Sequence, residues 1–306
     1  MSARDLHHDP FANGCAWVRG EYVPIREATL PLIDAGFSRS DVTYDVVAVW
    51  DDHFFRLDEH LDRFERSMSR LRLDIKLDRS QIEEILHHCV RRSGLRDAYV
   101  DMIATRGWPP RGGRDPRTFE NQFYAYAVPY IWIVEPEHQS VGSHLVIARD
   151  TVRIPTKSVD PTVKNFHWGD LTRGAFEAYD RGGTLSALPD LDGNLTEGPG
   201  FNLFLVVDGE LHTPDTGVLE GITRRTVLEL ADEASIPTHV GPLPVATADI
   251  AEEAFVTSTA GGVMPVTTID ARQVGDGTPG PITTRLRDAY WSAHADQRWT
   301  TPVAHD

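Results

Sequence analysis

The sequence predicts an α+β protein of two domains, and three observations lead there. The first half alternates β-branched, aromatic runs with two amphipathic helical patterns. The second half is richer in strand-like runs. Between them lies the polar, proline-bearing stretch EPEHQSVG (135–142), which reads as a link. A small α+β domain is therefore expected over 1–135 and a larger one over 143–306.

Each element has its own signal. VTYDVVAVW (42–50) is built of strand-forming residues, Asp51-Asp52-His53 reads as a turn, and HFFRL resumes an extended run, so a hairpin is predicted. Leu57, Leu61, Phe64, Met68 and Leu71 recur at helical spacing and predict a helix near 58–72 with one buried stripe. The pattern Ser80-x-x-Glu83 reads as a capping box opening a second helix, with Ile82, Ile85, Leu86, Cys89 and Val90 inward and an end near Gly94. Strands follow at about 98–106 and 122–134. The second half offers the strand HLVIARD, a helix near 169–181, FNLFLVVD turning at Asp208-Gly209, a helix near 223–234, and the strand pair in FVTSTAGGVMPVTTI.

Composition narrows the function. The chain has 306 residues, 41% hydrophobic and 25% charged, which is ordinary globular material with a sizeable core. Its formal net charge of -16 argues against nucleic acid and anionic membranes as partners. No apolar run reaches the roughly 20 residues of a membrane span. The start MSARDLHHDP lacks the basic and apolar regions of a signal peptide, so a cytoplasmic protein is expected. Cys15 and Cys89 are the only cysteines and have no metal-type spacing, in keeping with a reducing compartment. His87-His88 reads as packing or surface rather than a metal site, and no metal is expected. GxGxxG after a strand, GxxxxGK[ST] and GxSxG are all absent, which removes dinucleotide, nucleotide and serine-hydrolase readings.

The basic residues are unusual: of 30, only Lys76, Lys157 and Lys164 are lysines. In DPTVKNFHWGDL (160–171), Lys164 has apolar and aromatic neighbours that would desolvate an amine and leave it nucleophilic; on spacing alone Lys157 competes. GVLEGITRRTVLELADEA (217–234) runs from a glycine-bearing turn into a helix, where free N–H groups form a phosphate site or Thr223 merely caps the helix. LTEGPGFNLFL (195–205) sets Glu197 in a glycine-flanked turn, facing either water or a ligand. TSTAGG (257–262) groups hydroxyls and glycines at a strand end, which suits an anion or the turn's own backbone. Arg63 lies about 100° from the stripe of its helix, either in an exposed pair with Glu59 or in a functional role.

In order along the chain, SDVTYDVVAVWDDHFFRLDEHLDRF (40–64), DAYVDMIATRG (97–107), DPTVKNFHWGDLTRGAFEAYDRG (160–182), LTEGPGFNLFLVVDGELHTPDTGVLEGITR (195–224) and TSTAGGVMPVTTID (257–270) resemble the fold-type IV, pyridoxal-phosphate-dependent aminotransferases of the D-amino-acid and branched-chain superfamily (class IV), most of all the (R)-selective amine transaminases. The likeness spans nearly the whole chain. It implies an N-terminal α/β sandwich carrying substrate-pocket loops and a C-terminal, strand-rich pseudo-barrel that binds pyridoxal 5'-phosphate. It implies that Lys164 holds the cofactor covalently and later moves the proton. Arg63, the N–H groups of Ile222 and Thr223, and the Thr259 hydroxyl would bind the phosphate. Glu197 would face the pyridine nitrogen and Leu219 pack on the ring. Tyr44, Val46, Trp168, Thr259 and Ala260 would line the substrate pocket.

The implied activity moves an amino group from an (R)-amine or D-amino acid to a keto acid such as pyruvate, in a homodimer. A D-amino-acid aminotransferase proper, an aminodeoxychorismate lyase and an L-branched-chain aminotransferase are alternatives on the same fold, and a cofactor-free binding protein is one of another class. Two features depart from the amine-transaminase pattern. Arg39, in GFSRSD, stands where that pattern has a histidine, and the loop GWPPRGGRD (107–115) is shorter and rearranged. Arg111 matches the pattern's mobile carboxylate-binding arginine, with Arg114 near enough to compete. Arg39 reads as a second carboxylate anchor or as a surface charge.

Overall fold

The structure is a computed structural model that describes residues 13–304; the opening MSARDLHHDP lies outside them. The chain divides into two compact units. One holds the described residues up to Ile131, Val163–Phe166 and the described residues from Asp296 on; the other holds Trp132–Thr162 and His167–Ala295. The break therefore falls just before the stretch expected to be the link, and two later segments return to the first unit. Their return has a cause. Tyr44 N–H and the Thr43 hydroxyl both donate to the Lys164 carbonyl, at 3.1 and 2.7 Å, and Thr300–Pro302 pairs with His53–Phe55 as an added strand.

The first unit is an antiparallel sheet of seven strands in the order Thr300–Pro302, His53–Phe55, Val42–Trp50, Ala98–Trp108, Glu120–Pro129, Cys15–Val18, Glu21–Pro24. Asp51 and Asp52, both at positive φ, close the predicted hairpin. Strand alternation sends Val47, Val49, Val100, Met102, Ala125 and Ala127 into a core with Leu61, Phe64, Leu86 and Cys89 of the helices Leu57–Leu71 and Arg79–Ser93. The alternate residues Tyr44, Val46, Tyr99, Asp101 and Tyr126 occupy the opposite face.

Two boundaries differ from expectation. The second helix opens slightly earlier, and its capping box is Asp78 with Gln81 rather than Ser80 with Glu83. The two patterns overlap in sequence, and the Asp78 carboxylate also accepts from the Ser80 hydroxyl, leaving serine inside the first turn. HFFRL ends as a strand at Phe55, because Arg56 takes a left-handed conformation at the helix entrance. Gly94, at φ 67, ends the second helix where expected.

The second unit is a nine-stranded mixed sheet. Its main path runs Thr238–Val240, Glu210–Thr213, Phe201–Val207, Glu253–Ser258, Gly262–Ile269, Ser143–Ile147, Leu185–Ala187, with Glu197–Gly198 beside Phe201–Val207 and Arg272–Gln273 beside Gly262–Ile269. Leu145, Leu203, Leu205, Val256, Met264 and Val266 form its core. The stretch expected to be a bare link contains a short helix, Pro136–Gln139, whose buried Gln139 donates to the Val134 carbonyl. Helices Gly169–Asp180, Ile222–Glu233 and Pro281–Ala293 complete this unit. Among the described residues no helix is long and apolar enough to cross a membrane.

Candidate active site

Of the three lysines, Lys76 and Lys157 are exposed and Lys164 is half-buried. Its carbonyl is fixed by the strand Val42–Trp50, and Asn165 forms an isolated bridge with Thr43. This carries the Lys164 amine over the Tyr44 ring, 4.3 Å from its centroid, on the sheet face opposite the helices. Phe166 packs on the same ring at 4.6 Å. Two residues along, buried Val46 stands directly opposite Asp101, which in turn stands opposite Tyr126.

Asp101 is 3% exposed. Its Oδ2 accepts from the Tyr126 hydroxyl at 2.9 Å, while its buried Oδ1 has no hydrogen-bond partner among the described residues. Burial pushes this carboxyl up to about 8; Tyr126 and the Lys164 charge pull it down, and the Asp45 charge adds to the rise.

Arg63 is on the helix side of the same sheet. At 3% exposure it is no surface pair: its Nε and Nη2 donate to Asp45 at 2.7 and 2.8 Å, and His60 Nδ1 lies 2.8 Å from Asp45 Oδ1. Burial alone would push Asp45 up, but the charge and hydrogen bonds of Arg63, with the His60 bond, hold it well below the usual carboxylate range. Burial lowers His60, which keeps it neutral.

In the second unit Glu197 is 6% exposed, not a loop carboxylate facing water. Its Oε1 accepts from Arg153 Nη2 at 3.0 Å, and its Oε2 accepts from the Leu219 N–H at 2.8 Å and from Asn202 Nδ2 at 3.3 Å. Arg153 also grips Asp170 at 2.7 Å, so the carboxylate is held from several sides. Helix Ile222–Glu233 starts behind Gly221, and no side chain caps it; Thr223, buried in its first turn, is not the cap. A Cβ at Gly221 would come within 2.1 Å of Asn202 Oδ1, so only glycine lets this helix start approach the Glu197 cluster. In TSTAGG, the Ser258 hydroxyl donates to the Gly200 carbonyl and accepts from the Ala260 N–H, while the Thr257 hydroxyl is buried without a partner opposite Asn202. Thr259 is half-buried beside them.

The expected substrate residues are spread differently. Trp168, partly exposed, precedes helix Gly169–Asp180. Arg39 ends the short helix Ala35–Arg39, exposed, with its guanidinium 5.7 Å from the Phe119 ring. Arg111 and Arg114 sit in an exposed loop that turns through Gly112 and Gly113 at positive φ.

Sequence reasoning missed Asp101, Asp45, Arg153 and Asn202. A signal existed for the first two: an aspartate inside an otherwise apolar strand, VTYDVVAVW or AYVDMIATRGW, is costly unless it has a task. Arg153 and Asn202 stand in no comparable pattern. The chemistry present fits the pyridoxal-phosphate expectation: an amine on an aromatic face for an aldehyde, an uncapped helix start for a phosphate, and an oriented carboxylate for a protonated ring nitrogen.

The family described as amino-transferase class IV matches residues 43–269. A putative branched-chain-amino-acid aminotransferase of Methanocaldococcus jannaschii is 30% identical over 277 residues, covering 90% of this chain and 94% of its own. The D-alanine aminotransferase of Staphylococcus haemolyticus is 26% identical, covering 90% of this chain and 95% of its own. Among solved structures, the branched-chain amino acid aminotransferase of Thermobaculum terrenum in its PLP form superposes with a TM-score of 0.85 at 26% identity, over 95% of this chain and 98% of that one.

Proposed function

We propose, from the premise that this chain belongs to the class IV aminotransferase family and is a pyridoxal-phosphate-dependent enzyme of fold type IV, that it transfers an amino group from an (R)-amine or D-amino acid to a keto acid such as pyruvate. The observation that carries the assignment of chemistry is the placement of Lys164: it is the one lysine that is not exposed, and its amine is set against Tyr44.

Bound pyridoxal phosphate supplies an aldehyde for the amine and a ring that holds the electron pair left when a C–H bond breaks. The chain supplies the rest. Lys164 holds the group and, once released, takes the proton from the substrate carbon as a neutral base and returns it to the other side of the exchange. Glu197, anchored by Arg153, Asn202 and the Leu219 N–H, keeps the ring nitrogen protonated. The N–H groups of Ile222 and Thr223, the Thr259 hydroxyl and Arg63 bind the phosphate, and Asp45 fixes the guanidinium of Arg63. Leu219 packs on the ring. Tyr44, Val46, Trp168 and Ala260 line the substrate pocket, and Arg111 or Arg39 takes a substrate carboxylate.

The test is chemical. Borohydride reduction of the yellow protein should bleach it and leave the label on the Lys164 peptide, and Lys164→Ala should lower turnover by roughly 10²–10⁴-fold or more, the worth of a positioned base. A label on Lys157, or turnover undiminished in Lys164→Ala, would overturn the assignment. A second reading, an L-branched-chain aminotransferase, is favoured by the names of the relatives above. Both enantiomers of one donor, assayed with pyruvate and with 2-oxoglutarate, separate the two. Turnover that persists without any keto acid would point to a lyase instead.

The same reading makes the protein a cytoplasmic homodimer without nucleic-acid or membrane partners. Its acidic charge and the two free thiols, Cys15 and Cys89, support this, and exposed Leu32, Ile33 and Phe37 offer an apolar surface to a second copy.

A further inference from the structure

We propose that Asp101 is a specificity-determining residue: its unpartnered Oδ1 lies on the Tyr44 and Val46 face and, as a neutral carboxylic acid, donates a hydrogen bond to a carboxylate oxygen of the keto acid. This rests on the transaminase reading above and adds to it a recognition element for the acceptor.

Geometry comes first. Asp101 is 3% exposed and faces Val46 across the strand pair, with Tyr126 on its other side. Tyr126 supplies one hydrogen bond to Oδ2; among the described residues Oδ1 has none. An ionised carboxylate in such a place would carry a buried charge with half its acceptor capacity unmet, which costs more than losing an ordinary hydrogen bond. Asp45, next to Val46 on the neighbouring strand and on the other face, shows the alternative: Arg63 and His60 surround it and it stays charged. A proton on Oδ1 resolves the problem, and the O–H it creates then has no acceptor among the described residues.

The surroundings agree. The groups facing Asp101 are Tyr44 from the neighbouring strand, Tyr126 from the strand on the other side, Tyr99 from its own strand, and the Lys164 amine; Asp45 acts from behind the sheet. Burial dominates and, with the Asp45 charge, pushes the acid up to about 8, against the pull of the Tyr126 hydroxyl, the Lys164 charge and the Met102 backbone N–H. At neutral pH the group is thus a donor beside the amine that carries the chemistry, in the same way that a buried acid can serve an oxyanion. Above that range it becomes an anion and repels a carboxylate. The residue type matters here: an arginine or lysine would bind the acceptor at every pH, whereas a neutral acid binds it only while protonated.

The experiment measures KM for pyruvate, with one fixed (R)-amine donor, from neutral to alkaline pH in the wild type, Asp101→Asn and Asp101→Leu, all loaded with cofactor. In the wild type KM should rise about tenfold per pH unit above pH 8, following the loss of the proton. Asp101→Asn, an uncharged group that still donates, should lose that rise. Asp101→Leu should show a flat profile with KM raised roughly 10-fold to 100-fold over the wild type at neutral pH, and with kcat changed far less. A wild-type KM already flat with pH, a rise that persists in Asp101→Asn, or an unchanged KM in Asp101→Leu would each overturn the proposal. If the wild type accepts no keto acid with any donor, the transaminase reading itself fails, and this role for Asp101 with it. Infrared difference spectra of aspartate-labelled protein give an independent readout: a carboxylic-acid band at neutral pH that vanishes in Asp101→Asn is expected, and its absence from the wild type overturns the proposal whatever the kinetics.

Discussion

The two faces of the seven-stranded sheet each hold a buried aspartate, and the pair behaves oppositely. Asp45 faces the helices and collects two hydrogen bonds from Arg63 and one from His60; its carboxyl is held well below the usual range. Asp101 faces the other way, has Tyr126 on one oxygen and, among the described residues, no hydrogen-bond partner on the other, and is pushed up to about 8. Burial is nearly equal, 0% and 3% exposed, so burial does not make the difference. The supply of donors does. On one face the aspartate and its donors satisfy one another and so hold Arg63 in a fixed orientation, whereas the other keeps an acid with one oxygen unmet on the side that carries the Lys164 amine, which is how a face is kept ready for a ligand.

The largest way to break this contrast is to remove the donors' target. Asp45→Leu takes away the bidentate partner of a guanidinium that is 3% exposed, and should cost about 3–5 kcal/mol of stability by urea unfolding. Asp101→Leu, which removes a group with one hydrogen bond, should cost far less. Equal losses in the two variants would show that the faces do not differ as described.

A smaller effect sharpens the contrast through its sign. The folded Asp101 is raised from 3.8 to about 8, so between those values the native state holds one proton more than the unfolded chain. Its contribution to stability is therefore greatest at low pH and declines as pH rises toward 8. The folded Asp45 is lowered from 3.8, so its contribution is present above that value and fades as pH falls through the folded range. Relative to wild type, Asp101→Asn should gain stability with rising pH, by a few kcal/mol across its window, and Asp45→Asn should gain it with falling pH. Unfolding curves at several pH values read this directly. Shifts of the same sign would contradict the assignment of charges.

Much of this architecture was legible because it follows local rules. The stripe Leu57, Leu61, Phe64, Met68 needs only helical periodicity, and Gly94 ends its helix by a conformation that glycine favours. Lys164 stood out through scarcity and apolar neighbours, and Glu197 through its flanking glycines. What escaped depends on partners distant in sequence. Periodicity puts Arg63 on a helix flank; only the neighbouring strand, which brings Asp45, buries it. The carbonyl of Lys164 is tied to Thr43 and Tyr44 across some 120 residues, and the strand Thr300–Pro302 exists only because His53–Phe55 offers it an edge. The overlapping cap patterns at Asp78 and Ser80 are a local exception, decided by which side-chain oxygen reaches the free Gln81 N–H. The resemblance to a known family placed residues in order, yet it was silent on Asp101, whose meaning lies in an unmet hydrogen bond.

The finest probe of the open face is Tyr126→Phe. It deletes one hydroxyl, the donor 2.9 Å from Asp101 Oδ2, and leaves the ring and the strand pairing in place. The loss of a single hydrogen bond should cost about 1 kcal/mol of stability. Because that hydroxyl favours the charged form of Asp101, its removal should move the acid further upward, and the alkaline rise in pyruvate KM should shift to higher pH by about one unit or less. A shift to lower pH would mean that Tyr126 stabilises the neutral acid instead.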